Sequence, residues 1–483
     1  MYNTPIYDYL RRYAEEELNI FHMPGHKLGR GVPYELAQNL LQLDVTEVEG
    51  TDNLHCPQGI IKDAQRKAAK AFGADRTFFL VNGSTCGVQA AIMSVCSRGQ
   101  KLIAGRDSHR SVASGLILSG AEPVYVYPEF NEEFSIHGEI TPESMENALR
   151  ANPDAAAVLI TRPNYYGICC NLEEISRLVH SWGKILIVDE AHGAHLAFSD
   201  RLPPSALSCG ADICIQSAHK TLPAVTQGAY LHVKGNRPDM EKLSSNLAML
   251  QSSSPSYIIM SYLDIAREIM EREGRKRLEA LIDINARFVE ELEKDGTYKV
   301  LQAGNMGINF VQDPTRLVIS VKGLGISGYS AEKVLRERLA TQVEMADFEN
   351  IVLITTVADT RESMKRLLEA LETMKGFEFH ERLQNASAEM RSMVRRYNNR
   401  LRDSSQELPP WKAYASEKQE IPLESAGGRI CADIITPYPP GIPVLYPGEI
   451  ISALTVDYIR DIVSAGGNVT GMGADGRIRV LKE

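Results

Sequence analysis

A chain of 483 residues is too long for one compact core, so about two to four domains are expected. Its 44% hydrophobic and 24% charged content is that of an ordinary globular protein, and no apolar run reaches the roughly eighteen residues of a membrane span. The net charge of −10, with no Lys/Arg-rich stripe, excludes a nucleic-acid surface and suits a small cationic ligand.

Residues 1–60 form an N-terminal segment that interleaves Arg and Glu and lacks the apolar core of a signal peptide, so a cytoplasmic protein is expected. From 61 to 255, short apolar runs at 77–81, 102–104, 124–126, 157–160, 185–188, 213–216 and 229–233 alternate with helical stretches such as 87–96 and 172–181. The runs are continuous, as in strands buried on both faces, and the alternation predicts an α/β domain with a mainly parallel seven-stranded sheet. The last two runs leave no room for a crossover helix, so an antiparallel pairing is expected there. Residues 256–375 read as a connecting helix, to about 294, and a small α/β domain. In that domain strands are expected at 317–321, 343–345 and 351–355, with a helix at 331–339. A final helix is expected to be capped by Asp359 and Glu362 and to bury Met364, Leu367, Leu368 and Leu371. Residues 376–483 are a third, C-terminal α+β domain. It begins with a polar linker or surface helix to about 410 and contains Tyr438-Pro439-Pro440-Gly441-Ile442-Pro443.

The eight cysteines form no CxxC pair and read as reduced, buried residues. His22 and His26 have the spacing of a helical metal site, but Pro24 and Gly25 between them break a helix, and no metal is expected. Asn82-Gly83-Ser84-Thr85-Cys86-Gly87 follows the first strand and opens a helix; backbone N–H groups with hydroxyls beside them form an anion site, although a plain helix cap reads equally well. Asp189, ending a buried strand, can face a cationic heterocyclic nitrogen or simply cap the next helix. Gln216-Ser217-Ala218-His219-Lys220-Thr221 places a lysine at the end of another apolar run, where desolvation would make its amine nucleophilic. The order of the three elements, more than any one of them, carries the reading.

That order resembles the fold-type-I, aspartate aminotransferase-like enzymes that use pyridoxal 5'-phosphate (PLP). Phe21-His22-Met23-Pro24-Gly25-His26-Lys27, the segment from Asp44 through Asp52 to Gly59, Arg106-Asp107-Ser108-His109-Arg110-Ser111 and the C-terminal Pro/Gly motif with Pro447-Gly448-Glu449 are together similar to the Orn/Lys/Arg decarboxylase family, and within it to its short bacterial arginine decarboxylase-like branch. The resemblance implies decarboxylation of a basic amino acid, first arginine to agmatine, with lysine or ornithine as alternatives, in polyamine synthesis. It also implies a homodimer or an assembly of dimers. Ser84, Thr85, Cys86 and Ser217 would surround the phosphate. His109 would stack on the ring, Asp189 would pair with its nitrogen, His192 would lie beside it, and His219 would neighbour the Schiff-base Lys220. Lys220, His219, His109 and Asp189 are the expected catalytic group. Asn164 stands where Thr is usual. Asp44, Glu47, Asp52, Asp433 and Glu449 are candidate acceptors for the distal cation of the substrate. An aminotransferase, an oxoamine synthase, or a PLP-binding protein without activity are the rival readings.

Overall fold

The computed structural model describes residues 4–38, 40–303, 311–379, 405–438, 441–464 and 466–482. Most of the expected linker falls outside these residues, as do Pro439 and Pro440. The apolar runs pair into one seven-stranded sheet: β1 (Arg76–Leu80), β2 (Lys101–Gly105), β3 (Glu122–Val126), β4 (Ala157–Thr161), β5 (Ile185–Asp189), β6 (Ile213–Gln216) and β7 (Ala229–Val233), in the order β1-β7-β6-β5-β4-β2-β3. Strand β7 is antiparallel to both β6 and β1, and the remaining pairs are parallel. Alternate residues feed two cores. Val158, Ile160, Leu186, Val188 and Cys214 enter one, and Leu159, Ile187, Ile213, Ile215 and Leu231 the other, which is why the strands read as unbroken apolar runs.

Helix α1 (Gly83–Val95) lies on one face of this sheet. Its Gly87 is required by close approach, since a Cβ there would sit 2.6 Å from Leu80 and 3.1 Å from Ile215. Helices α2 (Arg110–Ser119), α3 (Leu172–Ser181) and the single turn α4 (Ala218–Thr221) follow strands β2, β4 and β6 in the chain. The connecting helix runs as α5 (Tyr257–Ile269), a π-helical turn at Met270–Gly274, and α6 (Arg275–Leu292).

The second unit is an antiparallel sheet of β8 (Lys299–Val300), β9 (Arg316–Ser320), β10 (Met345–Ala346) and β11 (Asn350–Ile354), in the order β8-β9-β11-β10. It carries α7 (Gly328–Arg338) and α8 (Arg361–Lys375). Of the strand expected at 343–345 only Met345 is extended in a ladder: Thr341–Gln342, before it, pairs with Asn19–Ile20 from the N-terminal segment, and Met345–Ala346 joins the sheet. Helix α8 buries Met364, Leu367 and Leu371 as expected, with Leu368 only half-buried, but its cap is Thr360 with Ser363 in a reciprocal box. Asp359 instead accepts from the Thr356 N–H and faces Lys27 at 3.9 Å. No helix among the described residues is long and apolar enough to cross a membrane.

The C-terminal unit pairs β12 (Lys418–Pro422) with β13 (Arg477–Leu481), adds α9 (Ala453–Ser464), and has its own core of Leu423, Cys431, Ile435, Ile451, Ile459 and Val480. One buried cation joins it to the large sheet. Arg106, just beyond β2, donates to the carbonyls of Pro443 (2.7 Å) and Val444 (3.1 Å) and pairs with Glu449 at 3.1 Å. Its guanidinium stacks on the Tyr446 ring, with Tyr125 also close. Both partners of the pair are dry, so removing one charge strands the other at a cost of about 3–5 kcal/mol. Glu449→Gln is therefore expected to lower the thermal midpoint and to raise hydrogen exchange across 405–482 before the large sheet opens, read by mass spectrometry.

Candidate active site

The site is built at the carboxyl ends of β5 and β6. Register places Asp189 opposite Ile215, so the segment leaving β6 begins beside the carboxylate. Asp189 is 3% exposed. Its Oδ1 accepts from the Ala191 N–H at 3.1 Å, and no cation lies within ion-pair distance among the described residues. Burial pushes its carboxyl up, against the pull of the Lys220 amine.

Beneath this edge a polar ladder crosses four strands. Glu190 accepts from Gln216 at 2.7 Å, Gln216 Oε1 lies 3.1 Å from His232 Nε2, and His232 Nδ1 lies 2.7 Å from Thr77 Oγ1. Cys214 and the Ala206 N–H also donate to Glu190. With its lone pairs engaged, this ladder holds the backbone from which Ser217 and Lys220 project.

Lys220 sits in the single turn α4, with its Nζ 3.0 Å from His192 Nε2 and 5.9 Å from the centroid of the Tyr165 ring. Burial lowers the lysine from its usual value; Asp189 and Glu344 oppose that shift and Arg316 adds to it. His192 is held well below the ordinary imidazole range by burial, with Lys220 and Arg316 contributing. His219 is pushed down to about 4 by burial, and its Nδ1 lies 3.1 Å from the Gly228 carbonyl.

Ser217 donates to Ser84 at 2.7 Å, so the β6 end and the start of α1 share a hydroxyl cluster. Thr85 is exposed there. Cys86 turns inward, its Sγ 3.1 Å from the Gly83 carbonyl and its thiol pushed up to about 12 by burial. Its side chain is therefore not among the hydroxyls at the helix start. His109 caps α2 through Nδ1, 3.2 Å from the Ser111 N–H, and burial lowers it to about 3.

The motif 21–27 is a strap over the lysine turn. The Gly25 N–H donates to the His219 carbonyl at 2.7 Å, and a Cβ on Gly25 would sit 2.6 Å from the Leu222 carbonyl oxygen. Lys27 is buried and donates to the carbonyls of Ile354 and His22.

With this geometry in hand, the comparisons with known proteins are specific. Residues 4–308 match the family model "Orn/Lys/Arg decarboxylase, major domain", and residues 392–475 match "Orn/Lys/Arg decarboxylase, C-terminal domain". The chain belongs to the Orn/Lys/Arg decarboxylase family. An arginine decarboxylase of Bacillus subtilis (strain 168) is 37% identical over 495 residues, covering 100% of this chain and 98% of that protein. Among solved structures, the constitutive lysine decarboxylase of E. coli superposes with a TM-score of 0.76 at 22% identity, over 99% of this chain and 82% of that one. Pyridoxamine-pyruvate aminotransferase from Mesorhizobium loti gives 0.59 at 16% identity, over 77% and 97%. The fold is that of the fold-type-I enzymes.

Within this Orn/Lys/Arg decarboxylase fold, Ser84, Asp189, His192, Ser217, His219 and Lys220 come together at one edge. Most of the carboxylates considered for a distal cation do not. Asp52 accepts from the N–H groups of Gly59, Ile61 and Gln58 and so tethers the start of the helix Ile60–Phe72. Asp433 is held by Lys418 and Arg479. Glu449 is held by Arg106. Asp44 is exposed, and Glu47 is half-buried with Oε1 unpartnered among the described residues. Asn164 closes its own loop, accepting from Tyr166 and Ile168 and donating to His137 and Gly138, so its amide is not left for a ligand. Sequence reasoning missed Tyr165, Glu344 and Arg316. For Arg316, a lone charge opening an otherwise apolar strand was the available signal.

At pH 8 a thiol raised to about 12 is ionised in only about one molecule in ten thousand. Native alkylation with iodoacetamide is therefore expected to label Cys56, the one exposed cysteine of the eight, and to spare Cys86; peptide mapping reads the result.

Proposed function

We propose that this chain removes the α-carboxylate of a basic amino acid as CO₂, with arginine preferred and agmatine released, using PLP held at Lys220. The observation that carries the reading is the meeting of three complementary groups: a buried amine, a buried carboxylate without a cation, and a helix start ringed by hydroxyls. These residues fit PLP group by group. Asp189 is costly to bury unpaired, and a protonated ring nitrogen is the partner it lacks. Ser84, Thr85, Ser217 and the first N–H groups of α1 suit the phosphate. The Lys220 amine suits the aldehyde, and His109 would cover a ring face.

Bound there, PLP supplies an electron sink for the breaking Cα–carboxylate bond. Asp189 serves that role by keeping the ring nitrogen protonated, because an adjacent carboxylate favours the cationic form. Cα must also take a proton, for which Lys220 and His219 are the candidates, and His219 is the weaker one. With Nδ1 directed at the Gly228 carbonyl and its acidity shifted to about 4, His219 is neutral at pH 7 and carries no proton to spare on its other nitrogen.

Arginine is placed first because whole-chain identity is 37% to the B. subtilis arginine decarboxylase and 22% to the E. coli lysine decarboxylase. For the distal cation, Glu47 and Asp44 remain the candidates from sequence, joined by Glu344, whose charge acts on Lys220. A homodimer is supported by the large apolar side chains exposed along the N-terminal segment, among them Ile6, Leu10, Tyr34 and Leu41.

Purified protein with PLP, offered arginine, lysine and ornithine separately, is expected to release CO₂ and agmatine fastest. Keto-acid formation in place of CO₂, or no turnover with any of the three, would sink the reading. Lys220→Ala should abolish the borohydride-stable PLP adduct and turnover together. Asp189→Asn should bind PLP yet lower kcat by about a hundredfold or more, since a neutral amide cannot hold the ring proton.

A further inference from the structure

Arg316 is 3% exposed, and among the described residues no carboxylate lies within ion-pair distance of it. Its position is fixed by the register of β9 on β11, where it faces Ile354, and by Gly167, at which any Cβ would lie 2.6 Å from the Cβ of Arg316. The guanidinium NH2 is 2.9 Å from His192 Nδ1, and His192 Nε2 is 3.0 Å from Lys220 Nζ. Three nitrogen-bearing side chains thus form a chain of contacts across the junction between the two sheets.

The chemistry of the first member settles the rest. A guanidinium has only N–H groups and does not give up its proton, so His192 Nδ1 must present a lone pair to it. An imidazole with a lone pair on Nδ1 carries its hydrogen on Nε2. That hydrogen points at Lys220 Nζ, which can accept it only as a free amine, because an ammonium would set N–H against N–H. We propose that Arg316 is a positioning residue that fixes the His192 tautomer and thereby holds Lys220 in the amine form that captures an aldehyde.

Other groups bear on the same pair. Asp189 and Glu344 favour the ammonium, as does the Tyr165 ring, while His109 and His219 face His192 as neutral imidazoles. Asp313, the carboxylate nearest in sequence to Arg316, is occupied by His195 at 3.1 Å. The arginine is therefore the group that opposes the ammonium through a directed hydrogen bond and not through charge alone.

This inference rests on the reading of Lys220 as the residue that holds PLP, and the test separates the two. Cofactor-free protein is mixed with PLP across a pH series, quenched with borohydride, and the labelled lysine is identified by mass spectrometry. Wild type is expected to capture PLP at Lys220 near pH 7, and Arg316→Met to do so about tenfold more slowly, with its profile moved toward that of an ordinary lysine. The double variant Arg316→Met/His192→Ala should behave as His192→Ala alone, because the arginine acts through the imidazole. If the Arg316→Met shift persists undiminished in the His192→Ala background, or does not occur at all, the proposal fails. If Lys220→Ala protein is labelled as well as wild type, it is the cofactor reading that fails instead. Nitrogen NMR of histidine-labelled wild type gives an answer that needs no variant: Nδ1 of His192 should be unprotonated and Nε2 protonated, and the reverse pattern overturns the proposal.

Discussion

Two neighbouring parallel strands, paired so that Asp189 lies opposite Ile215, bring a carboxylate and a lysine turn into one dry corner. The rest of the architecture follows from that arrangement, because neither group is stable there without help. Each is buried against its preference for water, and each is shifted toward its neutral form. The ladder from Glu190 through Gln216 and His232 to Thr77 secures the strands that carry them. The strap at Gly25 secures the turn above, and Arg106 secures the segment that leads to His109.

Much of the large sheet was legible in the sequence, because strands buried on both faces leave continuous apolar runs that punctuation by helices makes easy to read. The antiparallel turn-back at β7 was legible too, from the shortness of the connection before it. The small unit was harder. Its expected strand at 343–345 is mostly a gap between two short strands with different partners, and the first of these pairs with Asn19–Ile20 at a distance of about 320 residues in sequence that no local pattern reports. The cap of α8 was misassigned to Asp359 and Glu362 because several polar residues compete at that helix start. Thr360 won it through its box with Ser363, while Asp359 was claimed by the Thr356 N–H and by Lys27.

The candidate site divided along similar lines. Lys220, Asp189 and the 82–87 loop stand at strand ends, where local sequence and fold class together indicate position. The carboxylates could not be sorted that way. Asp52 and Glu449 occur in motifs shared with decarboxylases and Asp433 lies just before one, yet their partners are a helix start, a buried arginine, and a lysine and arginine pair. A motif marks a residue as constrained without saying whether a ligand or the protein itself constrains it. Arg316 is the converse case. It belongs to no motif, and only the fold brings the start of β9 to His192.

The strap has a consequence for how the polypeptide matures on the ribosome. Lys27 emerges early, but the carbonyl of Ile354 that receives it, and the Thr356 hydroxyl that donates to the Gly25 carbonyl, are made more than three hundred residues later. Until then the amino-terminal stretch has only the lysine turn itself to dock on, through the Gly25 N–H and the His219 carbonyl, and the second-sheet half of its anchorage is missing. A nascent chain therefore presents an unfinished pocket through most of its synthesis, and the reactive amine is enclosed only when translation has passed the second sheet.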